Sequence, residues 1–364
     1  MGLPAMIDDA LRAYSGRRVF VTGHTGFKGS WLCAWLHRLG GTTVGYALPP
    51  ESRSLFVQGR IADRMDSQEG DVRDFEHLRA AVRQAQPEIV FHMAAQSLVR
   101  PSYEAPVETF ATNVMGTAHL LEAVRDVPSV RSVVIVTSDK CYENDGRHAF
   151  DETAAMGGHD PYSASKGCAE LVTAAYARSF FAGSGCTVAS ARAGNVIGGG
   201  DWAVDRIVPD LARAAESGTP AIIRRPKAVR PWQHVLEPLG GYLLLGHRAA
   251  SEGQRFAGGW NFGPPVEETV AVGELAERLR RCWPEVEVEY RTDDNGPHEA
   301  AVLRLDCTKA RTELGWRPIL GLDRTLDMTA AWYREAASGS AAEVTDRQIA
   351  VYEQLLIKQE ELCQ

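Results

Sequence analysis

A glycine-rich turn near the start of the chain constrains its fold more than any other feature. The apolar run Arg18 to Thr22 leads directly into Gly23-His24-Thr25-Gly26-Phe27-Lys28-Gly29, and Trp31 and Trp35 follow at helical spacing. A strand, a glycine turn and a helix N-terminus in this order let the backbone approach a pyrophosphate, whose charge the free amides and the helix dipole favour. We interpret the two tryptophans as core packing. The turn therefore predicts a dinucleotide-binding α/β fold.

Two later segments indicate a catalytic site. The buried run Val133 to Val136 delivers Thr137-Ser138-Asp139-Lys140 at a carboxyl end of the predicted sheet, the edge where open α/β folds bind ligands. Tyr162 and Lys166 stand four residues apart, so a helix would present both on one face. A cation lowers the pKa of a neighbouring phenol and makes it usable as a base. We therefore predict that Ser138, Tyr162 and Lys166 act as a set.

Together these motifs resemble the extended short-chain dehydrogenase/reductases. The Gly-x-x-Gly-x-x-Gly spacing departs from the common Gly-x-Gly-x-x-Gly fingerprint and is similar to the form that this family uses. The resemblance implies a Rossmann-type doubly wound parallel sheet with a smaller C-terminal substrate-binding lobe, and NAD as cofactor. It also implies that the Ser hydroxyl bonds a sugar oxygen, the Tyr takes the proton, and the Lys holds the nicotinamide ribose while lowering the Tyr pKa.

The resemblance extends the set of cofactor contacts. It implies an adenine-contacting turn at Asp71, a small-residue loop after the strand in Pro87 to Ala95, and a helix asparagine, Asn113, behind the site. The predicted cofactor contacts are Gly23, Thr25, Gly26, Phe27, Lys28, Gly29, Asp71, Val72, Ala94, Ala95, Gln96, Asn113, Tyr162 and Lys166. The strand Thr43 to Ala47 ends without the acidic residue that NAD enzymes commonly use, so the choice between NAD and NADP stays open.

Nearby polar residues have simpler interpretations. Asp74, before Phe75-Glu76-His77, is better explained as a helix N-cap than as a ligand contact. His92 is a lone histidine at a strand end, and we interpret it as a hydrogen-bonded structural residue. Cys141 adjoins the catalytic segment, but it has no evident His partner and dehydrating a sugar needs no acyl intermediate. We interpret Cys141 as packing.

Asp139, directly after Ser138, favours a dehydration. A simple epimerase needs little beyond the Ser, Tyr and Lys, whereas an added Asp can serve as a general acid. The arrangement resembles sugar-nucleotide 4,6-dehydratases, in which C4 oxidation acidifies the C5 proton, a base removes it, the acid protonates the departing C6 hydroxyl, and hydride returns to C6. The predicted catalytic residues are Ser138, Asp139, Lys140, Tyr162 and Lys166.

Lys140 narrows the resemblance further. The dTDP-glucose and GDP-mannose enzymes usually carry Glu at this position, whereas Ser-Asp-Lys-Cys-Tyr here is similar to the CDP-glucose 4,6-dehydratase subfamily. That subfamily implies CDP-glucose as substrate, CDP-4-keto-6-deoxy-D-glucose as product, and an early step toward the dideoxysugars of surface polysaccharides such as the O-antigen of lipopolysaccharide. As the C5 base, Lys140 would need a depressed pKa. The alternative is that it supports an enolate electrostatically while another group or water takes the proton.

Four further residues are candidates for substrate binding. Asn195 resembles the family asparagine near the substrate phosphates, although a turn asparagine is the alternative. Arg206 and Arg230 offer bidentate donors to a diphosphate. His298 resembles a late substrate-side loop of the subfamily. We interpret the basic neighbours Arg224, Arg225 and Lys227 as solvated.

Composition limits the partners and the compartment. The net charge of −8 argues against a nucleic-acid surface, which needs a basic patch. No apolar run approaches membrane-spanning length. The seven cysteines form no C-x-x-C pair, which predicts reduced thiols and no zinc site, so no metal is expected. The N-terminal residues lack the features of a secretory signal, and we therefore expect a cytoplasmic protein.

The strand–helix alternation suggests how the chain is divided. It is regular to about residue 200, which predicts that residues 1–200 form most of the NAD-binding domain, with a return around 231–262. Residues 201–230 and 263–330 are assigned to the sugar-nucleotide-binding lobe, and 331–364 to C-terminal helices, of which the last, about 341–362, is amphipathic. The family resemblance implies a homodimer formed through a helix pair that includes the Tyr162 helix.

Other functions stay open at this stage. The first alternative is a sugar-nucleotide 4-epimerase, or a 4,6-dehydratase acting on another nucleotide sugar, because a change in the base-reading loop would leave these motifs intact. From a different class, a redox-sensing binding protein could keep the dinucleotide fold and lose turnover. Such proteins usually lack the Tyr and Lys, and this chain has both.

Overall fold

The computed structural model describes residues 6–144, 149–265, 268–291 and 304–363. Its strands are β1 Arg18–Thr22, β2 Thr42–Ala47, β3 Asp66–Glu69, β4 Ile89–His92, β5 Ser132–Val136, β6 Thr187–Arg192, β7 Val196–Ile197, β8 Ala221–Ile223, β9 Val229–Arg230, β10 Gln233–His234, β11 Gly258–Asn261, β12 Val270–Ala271 and β13 Val288–Tyr290. Its α-helices are α1 Met6–Arg12, α2 Phe27–Arg38, α3 Leu55–Gln58, α4 Phe75–Ala85, α5 Val99–Glu104, α6 Pro106–Phe110, α7 Gly116–Arg125, α8 Pro161–Tyr176, α9 Ile207–Ser217, α10 Leu236–Glu252, α11 Val272–Cys282, α12 Leu322–Ala336 and α13 Ala341–Cys363.

Seven parallel strands form the central sheet, in the order β11-β6-β5-β4-β1-β2-β3. Alternate side chains of a strand point to opposite faces, and both faces of this sheet are covered by helices. Val19 and Val21 of β1 accordingly lie in one buried cluster, while Phe20 between them lies in the other. The doubly wound Rossmann-type sheet predicted from the sequence is confirmed.

The chain reverses its direction of winding at β1. The chain winds outward through β2 and β3 on one side of β1, and through β4, β5 and β6 on the other. Ligands of open α/β sheets bind at such a switch point, beyond the carboxyl ends of the strands. The glycine turn after β1 and the catalytic segment after β5 therefore open into the same crevice.

Short strand pairs beyond β6 form the second wall of this crevice. β7 pairs with β10 and β8 with β13 in parallel, while β9 and β12 pair in antiparallel fashion. β11 returns to the large sheet beside β6. The predicted division of the chain at residues 200, 230 and 262 stays a prediction.

The two C-terminal helices pack on the body of the protein. In α13, Ile349, Tyr352 and Leu356 are buried, as the amphipathic pattern predicts. Trp35 of α2 donates its indole N–H to Glu353 at 2.9 Å and meets the Tyr352 ring edge-on. Trp31 is also fully buried, so both tryptophans are core residues, as predicted.

Candidate active site

The glycine turn after β1 is shaped by close contacts. Gly23 has φ +73°, and a Cβ there would lie 2.6 Å from the backbone nitrogen of Ala94. At Gly29 a Cβ would lie 2.2 Å from the carbonyl oxygen of Gly23. At Gly26 the nearest atom is 3.4 Å away, so the protein itself has room for a side chain there. The packing around Gly26 therefore does not itself require a glycine. The absence of a side chain at this position leaves space for a ligand at the N-terminus of α2.

Around this turn the structure gathers most of the predicted cofactor contacts. Thr25, Phe27 and Lys28 line a cleft of about 830 Å³ between the sheet and the small strand pairs. Gly23, Gly26, Gly29, Asp71, Val72, Ala94, Ala95, Gln96, Tyr162 and Lys166 line the same cleft. An elongated cleft with a bare turn, small residues and a helix N-terminus fits a dinucleotide.

Two predicted contacts, Asp71 and Lys28, have additional partners within the protein. The carboxylate of Asp71 accepts hydrogen bonds from the Arg73 backbone N–H and guanidinium, and this pairing lowers the pKa of Asp71. Lys28 lies 3.4 Å from the Tyr242 hydroxyl. Burial, together with the positive charges of Lys166 and Arg206, lowers the pKa of Lys28 to about 7.

Asn113 lies behind the wall of the cleft. Its side chain accepts from the Gln96 backbone N–H at 2.9 Å and donates to the Gln96 carbonyl and to Ser165. It sits in a wide helical turn, Ala111–Met115, that follows α6. Asn113 therefore connects the Gln96 loop to α8, the helix that carries Tyr162.

The other two polar predictions near this wall also have clear partners. Asp74 caps α4, because its carboxylate accepts the His77 backbone N–H at 3.1 Å. His92 lies 2.8 Å from Thr22 and 3.3 Å from Thr117, and burial lowers its pKa to about 3. It is a neutral structural residue, as predicted.

The catalytic segment leaves β5 in a tight turn. The Ser138 hydroxyl donates to the Asp139 carboxylate at 2.9 Å and accepts the Lys140 backbone N–H at 3.2 Å, capping the short 3₁₀ turn Asp139–Cys141. Asp139 is 2% exposed, whereas Lys140 is half-buried. Cys141 is fully buried, and burial raises the pKa of its thiol, which agrees with a packing role.

Tyr162 and Lys166 lie on α8, facing this segment. The helix starts at Pro161 behind an N-cap, Asp160, whose carboxylate accepts the Ser163 backbone N–H at 2.9 Å. Burial raises the pKa of Tyr162 to about 12, and a hydrogen bond with Ser138 and the charge of Arg206 offset this only in part. Burial also lowers the pKa of Lys166 to about 8. The expected lowering of the Tyr162 pKa by Lys166 stays a prediction.

We refer to Ser138, Asp139, Tyr162 and Lys166 as the catalytic floor, because each is at most 7% exposed. The turn after β6 closes against this floor. A Cβ on Gly194 would lie 1.8 Å from a carboxylate oxygen of Asp139. Asn195 has a left-handed backbone, with φ +51°, and its side-chain amide lies 3.4 Å from the same oxygen, Asp139 Oδ2. Asn195 therefore faces the floor as well as the cleft.

Arginines surround the mouth of the cleft. Arg206 donates to Asp201 at 2.9 Å and to Ser97 at 3.1 Å. Arg100 and Arg224 both pair with Asp205, at 3.2 and 3.3 Å. We refer to Arg100, Arg206 and Arg224 as the arginine rim; their side chains are 40%, 33% and 46% exposed.

The remaining substrate predictions have mixed outcomes. Arg230 lies in β9, lines the cleft, and is 8% exposed. His298 lies outside the described residues. Arg224 and Arg225 also line the cleft, and our interpretation of them as solvated neighbours stays a prediction.

The sequence analysis missed Arg100 and Asp205. Arg100 follows the Gln96 loop that we had singled out, so its proximity to that loop was the available signal. No sequence pattern indicated Asp205, because Arg100 and Arg224, which pair with it, are distant from it in the chain.

Two negative findings complete the description of the site. Among the residues that the structure describes, no three His, Cys, Asp or Glu side chains cluster as metal ligands would. The described helices include none that combines the length and apolar character needed to cross a membrane.

A Rossmann-type sheet with Ser, Tyr and Lys at its switch point defines a dinucleotide-dependent enzyme of the short-chain dehydrogenase/reductase class. The family model described as GDP-mannose 4,6 dehydratase matches residues 20–329. This chain belongs to that family of nucleotide-sugar 4,6-dehydratases.

Curated relatives and solved structures agree with this assignment. The chain is 52% identical to a CDP-glucose 4,6-dehydratase of Salmonella typhimurium, covering 88% of this chain and 91% of that protein. It is 27% identical to a dTDP-glucose 4,6-dehydratase of Xanthomonas campestris, with 72% of this chain and 77% of that protein covered.

A UDP-glucose-4-epimerase of Stenotrophomonas maltophila with bound NAD superposes with a TM-score of 0.78 at 23% identity, covering 88% of this chain and 99% of that one. The dTDP-glucose 4,6-dehydratase of Bacillus anthracis, in complex with NAD, gives 0.72 at 22% identity, with 87% and 96% covered. The likeness to these two structures shows the fold alone.

Proposed function

We propose that this protein is an NAD-dependent hydro-lyase that converts CDP-D-glucose to CDP-4-keto-6-deoxy-D-glucose and water. The observation that carries the proposal is the enclosed carboxylate of Asp139, which lies beside Ser138 in the wall that also presents Tyr162. Epimerisation at C4 needs no such acid, whereas loss of the C6 hydroxyl does. The identity of 52% to a CDP-glucose 4,6-dehydratase supports the choice of nucleotide.

The cleft fits the proposed cofactor. The open position at Gly26, the amides at the start of α2 and the small residues Ala94 and Ala95 would hold its pyrophosphate and nicotinamide portions, with Lys166 near the ribose. Bound NAD would supply the hydride acceptor at C4 and the hydride donor at C6. The residues described below do the proton chemistry and the positioning.

Tyr162 is assigned the first proton transfer. As the phenolate, Tyr162 would take the proton of the sugar C4 hydroxyl and become the neutral phenol, while the Ser138 hydroxyl orients the sugar oxygen. Because burial holds the pKa of Tyr162 near 12, nearby positive charge is needed for this step. Arg206 supplies part of that charge, and its guanidinium lies at the rim of the same cleft.

Asp139 and Lys140 are assigned the elimination. Asp139 would give its proton to the departing C6 hydroxyl, and Lys140 would take the proton from C5. The alternative for Lys140 is electrostatic support of the enolate. Lys140→Ala separates the two roles: retention of C5 hydrogen exchange with solvent at the wild-type rate would rule out Lys140 as the base.

The substrate side of the cleft carries the groups for a nucleoside diphosphate. Arg206, Arg224 and Arg230 present guanidinium groups to it, and these bind phosphates through paired hydrogen bonds. Asn195 lies between this side and Asp139. We propose that Arg206, Arg230 and Asn195 bind the diphosphate and place the sugar over the catalytic floor, with His298 as a further candidate.

A homodimer is part of the proposal. Val107, Phe110, Met115 and Leu171 are 81%, 37%, 50% and 61% exposed on the neighbouring elements α6, Ala111–Met115 and α8. Exposed apolar side chains on adjacent helices favour a second copy of the same surface. Light scattering is expected to give a dimer for the wild type and a monomer for Leu171→Arg. A monomeric wild type would contradict this part.

We also propose a cytoplasmic location. Six cysteines are free thiols, as expected for a reducing compartment: Cys33, Cys141, Cys168, Cys186, Cys282 and Cys307. Recovery of the protein in the membrane or periplasmic fraction of cells would contradict this location.

The deciding assay compares four sugar nucleotides. Purified protein is incubated with CDP-glucose, dTDP-glucose, GDP-mannose or UDP-glucose, with and without added NAD, and the 4-keto product and the mass loss of water are measured. We expect water loss with CDP-glucose. Water loss only with another nucleotide would overturn the substrate, and no water loss with C4 inversion would indicate an epimerase.

A further inference from the structure

A buried ion pair lies directly beneath the catalytic floor. The guanidinium of Arg192, at the end of β6, meets the carboxylate of Glu170 at 2.8 Å, and the two side chains are 5% and 4% exposed. Glu170 lies one helical turn after Lys166 on α8. A buried pair is weak evidence for stability, because apolar residues of similar volume often stabilise as well. What such a pair offers instead is directional hydrogen bonds.

The carboxylate of Glu170 holds the start of the catalytic segment. One oxygen accepts the Thr137 hydroxyl at 2.5 Å, and Thr137 is the residue immediately before Ser138. The other oxygen accepts from Ser190 at 2.7 Å and from Arg192. The Thr137 backbone N–H also donates to Ala191, at 2.9 Å. Thr137 is therefore anchored to β6 through its backbone and to Glu170 through its side chain.

The guanidinium of Arg192 holds the other end. It donates to the Tyr142 hydroxyl at 2.6 Å, and that hydroxyl donates to Asn261 at 2.7 Å. The Tyr142 ring stacks on Phe150, with 5.3 Å between ring centroids. Tyr142 follows Cys141, so Ser138, Asp139 and Lys140 lie between the two anchored residues.

We propose that the Glu170–Arg192 pair is a clamp that positions the catalytic segment by gripping Thr137 at one end and Tyr142 at the other. The inference rests on the proposed function, since it concerns how Ser138, Asp139 and Lys140 are presented to a substrate. Glu170, Arg192, Thr137 and Tyr142 are positioning residues: they act through the floor rather than on the substrate.

Local backbone structure explains why a clamp is needed. Between its anchors the segment forms one 3₁₀ turn, Asp139–Cys141, whose Cys141 carbonyl also accepts the Gly157 backbone N–H at 2.9 Å. The Ser138 side chain supports that turn from within, through a single bond to the Lys140 N–H. Without the two anchors, the position of Asp139 would depend on that turn, on the Gly157 contact and on the long 3.4 Å contact from Asn195. A displacement of about 1 Å at a catalytic group can lower the rate about a hundredfold.

The same pair also acts on Lys166. Burial lowers the pKa of Lys166, and the carboxylate of Glu170 is the first of the charges that oppose this shift. Glu170 thus holds Thr137 by a hydrogen bond while it favours the protonated form of the lysine below Tyr162.

Two variants test the clamp without disturbing the ion pair. Thr137→Val and Tyr142→Phe each remove one hydroxyl and keep the shape of the side chain. We expect amide hydrogen exchange in a peptide covering residues 137–142 to be about tenfold faster in each, with exchange in β1 and β2 unchanged. We expect kcat with CDP-glucose to fall about tenfold, with KM within about twofold of wild type.

Matched controls come from remote buried hydroxyls. Tyr352 donates to the Glu237 carboxylate and Thr329 donates to a carbonyl within α12, both outside the cleft. Tyr352→Phe and Thr329→Val should leave both exchange in 137–142 and kcat at wild-type values. Glu170→Gln is less informative, because it leaves Arg192 buried without a charge partner and is expected to lower Tm sharply.

The outcomes separate the clamp from the proposed function. A wild-type protein that dehydrates no sugar nucleotide would contradict the function, and the exchange measurement would still decide the clamp. Wild-type exchange in both variants would overturn the clamp. So would a raised KM with unchanged kcat, which would assign the two hydroxyls to binding.

Discussion

The catalytic floor and the arginine rim hold their charged groups in opposite ways. Asp139 and Lys166 of the floor are 2% and 5% exposed, and the groups around them fix their positions. Arg100 and Arg224 of the rim are 40% and 46% exposed and share one carboxylate, Asp205. Exposed ion pairs contribute little to stability, so the rim can exchange Asp205 for another anion at small cost. The floor cannot move without losing several contacts.

From this difference we expect the floor to act in proton transfer and the rim to act in substrate binding. A group that acts on one proton needs a fixed position and a tuned pKa, which burial provides. A group that binds a mobile diphosphate needs access and charge, which a half-exposed arginine provides. Substitutions in the floor are therefore expected to lower kcat, whereas substitutions of Arg100 and Arg224 in the rim are expected to raise KM.

The largest effect is expected from removing the acid of the floor. Asp139→Asn keeps the shape of the side chain but cannot supply a proton, so water loss from CDP-glucose should fall by about 10³-fold, within the range for a lost general acid. C4 oxidation should persist, seen as absorbance of reduced nicotinamide on the enzyme. Water loss within about tenfold of wild type would remove Asp139 from the mechanism.

A smaller loss is expected from crowding the same carboxylate. Gly194→Ala places a Cβ 1.8 Å from Asp139 Oδ2, so the carboxylate must shift. We expect kcat to fall about a hundredfold while KM changes little. Gly263→Ala is the control, because a Cβ there meets nothing closer than 3.6 Å. Equal kcat values for the two variants would show that Asp139 tolerates displacement.

Substitution of a rim arginine is expected to change KM. Arg224→Ala removes one guanidinium from the cleft and is expected to raise KM for CDP-glucose about tenfold with kcat nearly unchanged. Arg278, which pairs with Glu274 at 2.6 Å on the surface of α11, supplies the control variant Arg278→Ala. A fall in kcat without a change in KM would place Arg224 with the floor instead.

Away from the cleft, the buried carboxyl group of Glu237 is expected to make the stability of the protein depend on pH. Burial raises the pKa of Glu237 to about 7, although the Leu320 and Ile319 backbone N–H groups and the Tyr352 hydroxyl donate to it. The folded protein therefore retains this proton at pH values where the unfolded chain has lost it. Stability should fall by about 3 kcal/mol as pH rises from about 4.5 to about 7, and stay level above.

Urea unfolding at several pH values measures this effect. In Glu237→Gln one amide oxygen can still accept both backbone N–H groups, and we expect the decline between about pH 4.5 and 7 to shrink. An identical decline in the variant and the wild type would assign it to other groups. Glu268 is the neighbouring carboxylate whose charge also raises the pKa of Glu237.

The sequence by itself determined the parts of this protein that are local in the chain. Gly23, Gly26 and Gly29 specify their turn because backbone conformation and contact depend on a few neighbouring residues. The four-residue spacing of Tyr162 and Lys166 specifies one face of α8 for the same reason. The sheet, the floor and the family resemblance followed from such segments.

Only the tertiary structure decided which distant residues meet. Glu170 and Arg192 are joined beneath Thr137 and Tyr142, and Asp205 lies between Arg100 and Arg224, at separations along the chain that no periodicity encodes. The environment of Tyr162 is a further example, because burial is the largest influence on its pKa. Desolvation depends on everything packed around a group, and that packing exists only in the folded chain.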